Sequence, residues 1–238
     1  MPLADANIKS NADKSSRFDF DTVADSYDQW YRTAEGAMYD RLEKKAICRF
    51  LRKKNQERKL LEVGCGTGHW SRFFSDCGFE VTGVDISESM IKKAKSKNIA
   101  DALFQVADSH SLPFADSSFD VTAAITTLEF TGNVELVLQE MARCTRKPSG
   151  KLLLGVLNSL SRLNRGRQQN PESLYAKADL FSPEQLKKLL NKYGQVRLCT
   201  AGFVPGQKYL LPLSPFIDVL GRFFHLQYGA FIAGQVKL

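Results

Sequence analysis

The 238 residues suit one α/β domain with a substantial core, and a composition 43% hydrophobic and 25% charged reads as soluble. No stretch approaches the roughly 18 apolar residues of a membrane span, and Met1 to Asn11 lacks the basic-then-apolar order of a secretory signal, so a cytoplasmic location is expected. The net charge of +7 is uneven, about +3 before Leu61, about −5 from there to Phe130 and about +9 beyond, with the cations dispersed through predicted helices as on a solvated basic face.

Residues 1–17, rich in Ala, Asn, Asp, Lys and Ser, are predicted to be a disordered lead. Residues 18–58 follow as a helical lid: Phe20 to Tyr31 concentrates aromatics among acids, and Met38, Leu42, Ala46 and Phe50 recur at helical spacing. The other face of that helix carries Arg41, Lys44, Lys45, Arg52 and Lys53, a pattern of solvent exposure. From 59 to 158, the cofactor-binding core, short apolar runs alternate with helical stretches, the pattern of a parallel sheet. Strands are predicted at Leu60–Val63, Glu80–Val84, Ala102–Val106, Val121–Ile125 and Lys151–Val156, with helices at His69–Cys77, Glu88–Ser96 and Asn133–Arg143. Ser159–Gln169 lacks periodicity and is read as a mobile connection. Ser182-Pro183-Glu184-Gln185 starts a helix that runs to about Tyr193. Strands at Gln195–Thr200 and Gly229–Val236 then close the sheet as an antiparallel pair. The expected fold class is α/β: a Rossmann-like, seven-stranded, mostly parallel sheet with helices on both faces and an antiparallel last strand. Residues 159–238 belong to the same domain, with a substrate-capping insertion at about 202–227. Its apolar run, Tyr209 to Phe224, is interrupted by Pro212 and Pro215, too broken to span a membrane.

Gly64-Cys65-Gly66-Thr67-Gly68 stands between the first core strand and the helix after it. A loop that binds phosphate or nucleoside needs glycine there, because the backbone must turn tightly and approach its ligand without a Cβ, next to the free N–H groups of a helix start. A glycine triplet alone also fits a plain strand-to-helix turn. Glu62 before the loop adds context, as does Asp85, 21 residues after Gly64 at the end of the next strand, where a carboxylate can accept both ribose hydroxyl protons. The dinucleotide fingerprint G-x-G-x-x-G/A needs a small residue where His69 stands, which disfavours pyrophosphate. Cys48, Cys65, Cys77, Cys144 and Cys199 are scattered and never form a C-x-x-C pair, so reduced thiols are expected, with neither disulfides nor a metal site.

Taken together, Leu60-Leu61-Glu62-Val63 with the glycine loop, Val84-Asp85-Ile86-Ser87 and Asp108-Ser109-His110-Ser111-Leu112-Pro113-Phe114 resemble successive motifs of the class I S-adenosylmethionine-dependent methyltransferases. The nearest likeness is to the subgroup with the ubiquinone and menaquinone C-methyltransferases; it runs from about Phe18 to Val156 and weakens beyond Ser159. The resemblance implies S-adenosylmethionine as cofactor, held along Glu62, Gly64, Cys65, Gly66, Thr67 and Gly68, with the glycines against its methionine part and ribose. It further implies that Asp85 holds the ribose, Ile86 and Met90 sandwich the adenine, Asp108 accepts from the exocyclic amine and the Ser109 backbone touches the ring. Thr126 would face the methionine moiety and Tyr27 would close over the cofactor, with Trp30 and Tyr31 near the mouth as substrate-binding candidates.

Methyl transfer is an in-line displacement in which the protein supplies alignment and desolvation, and a general base is needed only for a nucleophile that must lose a proton. His69, His110 and Glu129 are the candidates: His69 tops a helix, His110 is next to the predicted adenine site, and Glu129, at the sheet's carboxyl edge, is also readable as a surface or capping residue. Thr126-Thr127-Leu128-Glu129-Phe130 stands where base-methylating DNA enzymes carry Asn/Asp-Pro-Pro-Tyr/Phe. A small-molecule acceptor is therefore expected and a nucleic acid disfavoured. The alternatives are a non-catalytic S-adenosylmethionine-binding partner or regulatory protein and, second, an RNA methyltransferase. The 209–224 segment reads as the wall of an apolar substrate pocket, as core packing, or as a surface touching a membrane. The sequence does not choose among carbon, oxygen, nitrogen and sulfur acceptors, nor fix an oligomeric state.

Overall fold

The computed structural model describes residues 20–21, 23–25, 27–51, 58–171, 173 and 175–238; the predicted lead, with Arg52 and Lys53, lies outside them. Seven strands form one sheet: β1 (Lys59–Val63), β2 (Glu80–Asp85), β3 (Ala102–Val106), β4 (Val121–Ile125), β5 (Lys151–Leu157), β6 (Gln195–Ala201) and β7 (Phe231–Lys237). Their spatial order is β3-β2-β1-β4-β5-β7-β6. β1 to β5 are parallel, and β7 lies between β5 and β6, antiparallel to both. Only β7 is reversed; β6 points the same way as the parallel strands.

Every residue of β4 and β5 is buried, as expected of central strands covered on both faces. The two-residue period of a strand sends Leu60 and Leu61 to opposite sides. Leu60 packs with Ala46 and Ile47 of α2 (Ala34–Cys48) and with Trp70 and Phe74 of α3 (His69–Asp76). Leu61 packs with Val137 and Met141 of α5 (Val134–Cys144) and with Leu186 and Leu190 of α7 (Pro183–Leu190). Side chains satisfy the first free N–H groups of the helices: Asn133 caps α5, and Ser182 with Gln185 forms a complete capping box on α7 behind Pro183. A four-residue α1 (Gln29–Arg32) precedes α2, and α4 (Glu88–Ser96) joins β2 to β3.

Two segments differ from expectation. Ser159–Gln169 is not an irregular connection but contains α6 (Arg162–Gln169). Its inward anchor is Asn164, buried, whose Nδ2 donates to the carbonyls of Asn158 at 3.0 Å and Ala230 at 2.7 Å. A helix anchored through a polar side chain shows no apolar period. The 209–224 segment forms a 3-10 turn (Lys208–Leu213) running into α8 (Ser214–Phe223), between β6 and β7.

The strand order reverses between β1 and β4, and in open sheets of this kind ligands bind outside the carboxyl ends of the strands at that point.

Candidate active site

A cavity of about 700 Å³, counted to its open mouth, lies at those carboxyl ends. Of the residues expected to hold a cofactor, it is lined by Tyr27, Gly64, Gly66, Asp85, Ile86, Met90, Asp108, Ser109 and Thr126. The Asp85 carboxylate ties the two nearest loops together: Oδ2 accepts the Gly66 N–H at 2.9 Å and Oδ1 the Ser87 N–H at 3.0 Å. Burial raises its pKa above the ordinary carboxylate value, and those two N–H groups offset part of the effect. Gly64 and Gly66 both have positive φ, +69° and +51°. A Cβ on Gly64 would collide with the Thr127 side chain, whereas one on Gly66 would meet nothing within 4 Å. The loop backbone is thus laid bare toward the cavity. Thr126 also has positive φ, 49°, a left-handed backbone that a β-branched residue adopts only under constraint.

Four loop positions lie behind the cavity wall rather than on it. Glu62 is buried and its Oε2 accepts from Ser71 Oγ at 2.5 Å, fastening β1 to α3; burial raises its pKa to about 8. Cys65 is buried against Ile91, Ala94 and Phe104. Gly68, at φ +78°, is the left-handed cap of α3. Thr67 donates from Oγ1 to Asp28 at 2.6 Å. The loop needs these residues to hold its shape, so their spacing is that of a binding motif although they do not face the ligand space.

The Thr67 bond belongs to a clasp that single-residue reading of the sequence misses. Ser87 Oγ donates to Asp21 at 2.5 Å, Lys93 pairs with Asp25 at 2.6 Å and Lys97 with Asp28 at 2.6 Å. Three aspartates of the N-terminal segment thus grip one helix, α4, whose Met90 faces the cavity. Phe20 and Tyr27 of the same segment line the cavity, and Phe20 meets Phe130 edge to face at 5.3 Å. Asp28→Ala is expected to weaken cofactor binding roughly 2- to 10-fold, the loss of one or two partly exposed hydrogen bonds. Calorimetry checks this, together with faster amide exchange over 27–33.

Neither histidine is placed as a base. His69 lies outside the cavity, stacked on Tyr31 at 3.7 Å, with Nε2 at 2.7 Å from Asp40 and 3.0 Å from Lys44 Nζ. His110 lines the cavity, but Nδ1 lies 2.7 Å from Asp108 Oδ1 and Nε2 accepts the Asn133 N–H at 3.3 Å, so both ring nitrogens are engaged. Glu129 is a buried residue and not a surface one. Its Oε1 accepts the Leu157 N–H at 2.5 Å, Oε2 has no partner among the described residues, and burial raises its pKa to about 8.

Beyond Phe130 stands an aromatic wall. Tyr175 contacts Phe130 at 5.9 Å, and the Arg167 guanidinium sits over Tyr175 at 5.0 Å and over Trp30 at 4.7 Å. Trp30 stacks on Tyr39, and burial raises the nearby Glu43 to about 7. Trp30 and Tyr31 therefore flank the cavity without lining it, and among the described residues none of 202–227 lines it. Phe20, Thr127, Phe130 and Thr131 line it although none is expected among the binding residues. Their local signals are slight: Phe20 belongs to the aromatic stretch that ends at Tyr31, and Thr127, Phe130 and Thr131 follow the fourth strand within six positions.

Residues 36–196 match the methyltransferase domain family. The chain belongs to that family. Among curated relatives of the chain, a malonyl-[acyl-carrier protein] O-methyltransferase of Erwinia billingiae is 32% identical over 130 residues, covering 55% of this chain and 51% of that one. A demethylmenaquinone methyltransferase of Renibacterium salmoninarum is 37% identical over 97 residues, 41% of this chain and 40% of that one. The chain thus matches about half or less of the length of these relatives. A SAM-dependent methyltransferase from Thermotoga maritima shares the fold, with a TM-score of 0.72 at 24% identity over 92% of this chain and 97% of that one. The fold is that of the class I methyltransferases, whose cofactor is S-adenosylmethionine. The cavity fits it: a bare backbone at Gly66, a carboxylate at Asp85 within the cavity wall, apolar Ile86 and Met90, and an acceptor at Asp108.

Proposed function

We propose that the chain methylates a small acceptor whose nucleophile is already ionised at neutral pH, a carboxylate being the simplest, docked by Arg167 at the aromatic wall. The observation that carries this reading is the Arg167 guanidinium, half-buried between two rings and in no close ion pair among the described residues, with Glu43, whose pKa it lowers against the effect of burial, as a carboxylate within electrostatic range. Guanidinium faces packed on aromatic rings leave the N–H edge to grip a planar anion in two places. An anionic nucleophile needs no general base, which agrees with the engaged nitrogens of His110 and the remote position of His69.

Bound S-adenosylmethionine supplies a methyl group on a positively charged sulfur. The chain's own residues then do three things. Asp85 and the Gly64–Gly68 loop fix the cofactor end of the cavity. Phe20, Phe130 and Tyr27 shield the transfer point from water; burial holds the Tyr27 hydroxyl protonated, and the side chains of Tyr31 and Thr126 hydrogen-bond it. Arg167 orients the acceptor. The relative named malonyl-[acyl-carrier protein] O-methyltransferase supports a carboxylate as acceptor atom source.

The test is a transfer assay with methyl-labelled S-adenosylmethionine across small carboxylic acids, phenols and amines. Turnover is expected with carboxylic acids, and Arg167→Gln is expected to raise KM roughly 10-fold or more, the loss of a charge-assisted pair. Turnover confined to neutral acceptors, or a KM untouched by Arg167→Gln, would overturn the reading.

A further inference from the structure

An amphipathic surface helix normally buries its apolar stripe and shows water its polar one. The segment from Lys208 to Phe224 does the opposite. Leu213, Phe216, Leu220 and Phe223 recur at steps of three and four along α8 and its cap, one face of a helix, Tyr209 joins them from the 3-10 turn before it, and all five are exposed: Tyr209 to 79%, Phe216 to 66% and Phe223 to 73%. The face that packs inward is polar or small, with Ser214, Asp218 and Gly221 buried. Asp218 bolts the helix down: Oδ1 accepts the Gly202 N–H at 2.8 Å and the Phe203 N–H at 3.3 Å, and Oδ2 pairs with Arg222. The orientation is therefore fixed by buried polar bonds, and the aromatic face is held outward.

The border of this face is basic. Arg41, Lys45 and Arg49 stand at steps of four along α2 and its C-terminal cap, α2 packs against α8, and all three are exposed and in no ion pair among the described residues. Lys45 is within electrostatic range of Asp218, and Arg49 shares a surface hollow with Arg222 and His225. That hollow also holds Glu184. From Ala201 to Leu238 the only acidic side chain is the buried Asp218. The face is a projecting ridge, not a groove, and it lies at the end of β6 and the start of β7, the same edge of the sheet on which the cavity opens.

We propose that this ridge docks the protein on an anionic lipid surface, with the aromatic residues in the headgroup and acyl boundary and Arg41, Lys45 and Arg49 against the lipid phosphates. A planar, deformable surface accepts a convex aromatic ridge without shape complementarity, and its negative charge matches the basic border. No helix of the described residues is long and apolar enough to cross a membrane, so the ridge lies on the surface. The assignment is independent of which acceptor is methylated.

The test is co-sedimentation of the full chain with vesicles of phosphatidylcholine alone and of phosphatidylcholine with phosphatidylglycerol. Binding is expected to be stronger on the anionic vesicles by on the order of 100-fold, the effect of three cations near a charged bilayer, and to weaken with salt. Phe216→Ser with Phe223→Ser, both at exposed positions, is expected to abolish binding while leaving the melting temperature unchanged. Arg41→Ala with Lys45→Ala and Arg49→Ala is expected to erase the preference for anionic vesicles. No binding to anionic vesicles, or equal binding by the double serine variant, overturns the proposal. So does a concentration-dependent dimer that the serine variant dissolves in the absence of vesicle binding, which would make a second copy the occupant.

Discussion

Asp85→Ala is expected to weaken S-adenosylmethionine binding roughly 10- to 100-fold, about 1 to 3 kcal/mol. The carboxylate holds the Gly66 and Ser87 N–H groups and lines the cavity, leaving its remaining lone pairs for a ligand's hydroxyls. Alanine removes both the ligand's acceptor and the brace between the glycine loop and the start of α4. Two backbone donors are then left to water or to nothing, and the apoprotein itself should lose stability. Asp85→Asn separates the effects, since its amide oxygen can still accept one of the two N–H bonds while its NH₂ opposes the other. Titration calorimetry reads the affinity and circular dichroism the fold. An unchanged affinity in a folded Asp85→Ala protein would remove Asp85 from the cofactor site.

Stability should fall as pH rises from about 5 toward 8. Burial lifts Glu43 to about 7 and Glu62 and Glu129 to about 8. An unfolded glutamate titrates near 4.3. Between these values the folded chain holds more protons than the unfolded one, so this stabilisation is full below about pH 4.3 and is lost as pH passes the folded values. Carboxylates whose pKa is lowered on balance, such as Asp40, where burial is outweighed by the hydrogen bonds of His69 and Lys44, act the other way, but only at lower pH. Each strongly raised glutamate is worth about 2 to 4 kcal/mol across the window, since one pKa unit is about 1.4 kcal/mol. Glu62→Gln keeps an oxygen for the Ser71 hydroxyl and removes the charge, so it should flatten the profile and raise the melting temperature at pH 8 but not at pH 5. Glu129→Gln should do the same. Denaturant titrations at pH 5.5 and 8.5 that give the same unfolding free energy for the parent chain would contradict the assignment.

The strands and the glycine loop were legible because each is a local pattern: apolar runs of five to seven residues, punctuated by glycine or a capping residue. The candidate site was legible where one residue type answers one demand, as with Gly66 or Asp85. It was not where a role depends on a distant partner. Asp21, Asp25 and Asp28 are acids among aromatics in the sequence, and only the fold brings Ser87, Lys93 and Lys97 beside them. Arg167 lies in a stretch with no apolar period, and only the fold brings it between Trp30 and Tyr175. Glu129 sits at the edge where a ligand would be met, yet its side chain turns inward to the Leu157 N–H. Sequence position placed it near the reaction, and the rotamer took it away.

The grip of the N-terminal aspartates on α4 bears on timing as well as affinity. A ligand lying against Met90 rests on the helix that Asp25 and Asp28 hold, so its release is expected to follow the breaking of those pairs. Exposed ion pairs are screened over about 10 Å at 0.1 M salt, whereas the apolar contacts of Ile86 and Met90 are not. Ionic strength should therefore govern how long the cofactor or its product resides more than how fast it is captured. Turnover limited by release would then quicken with added salt.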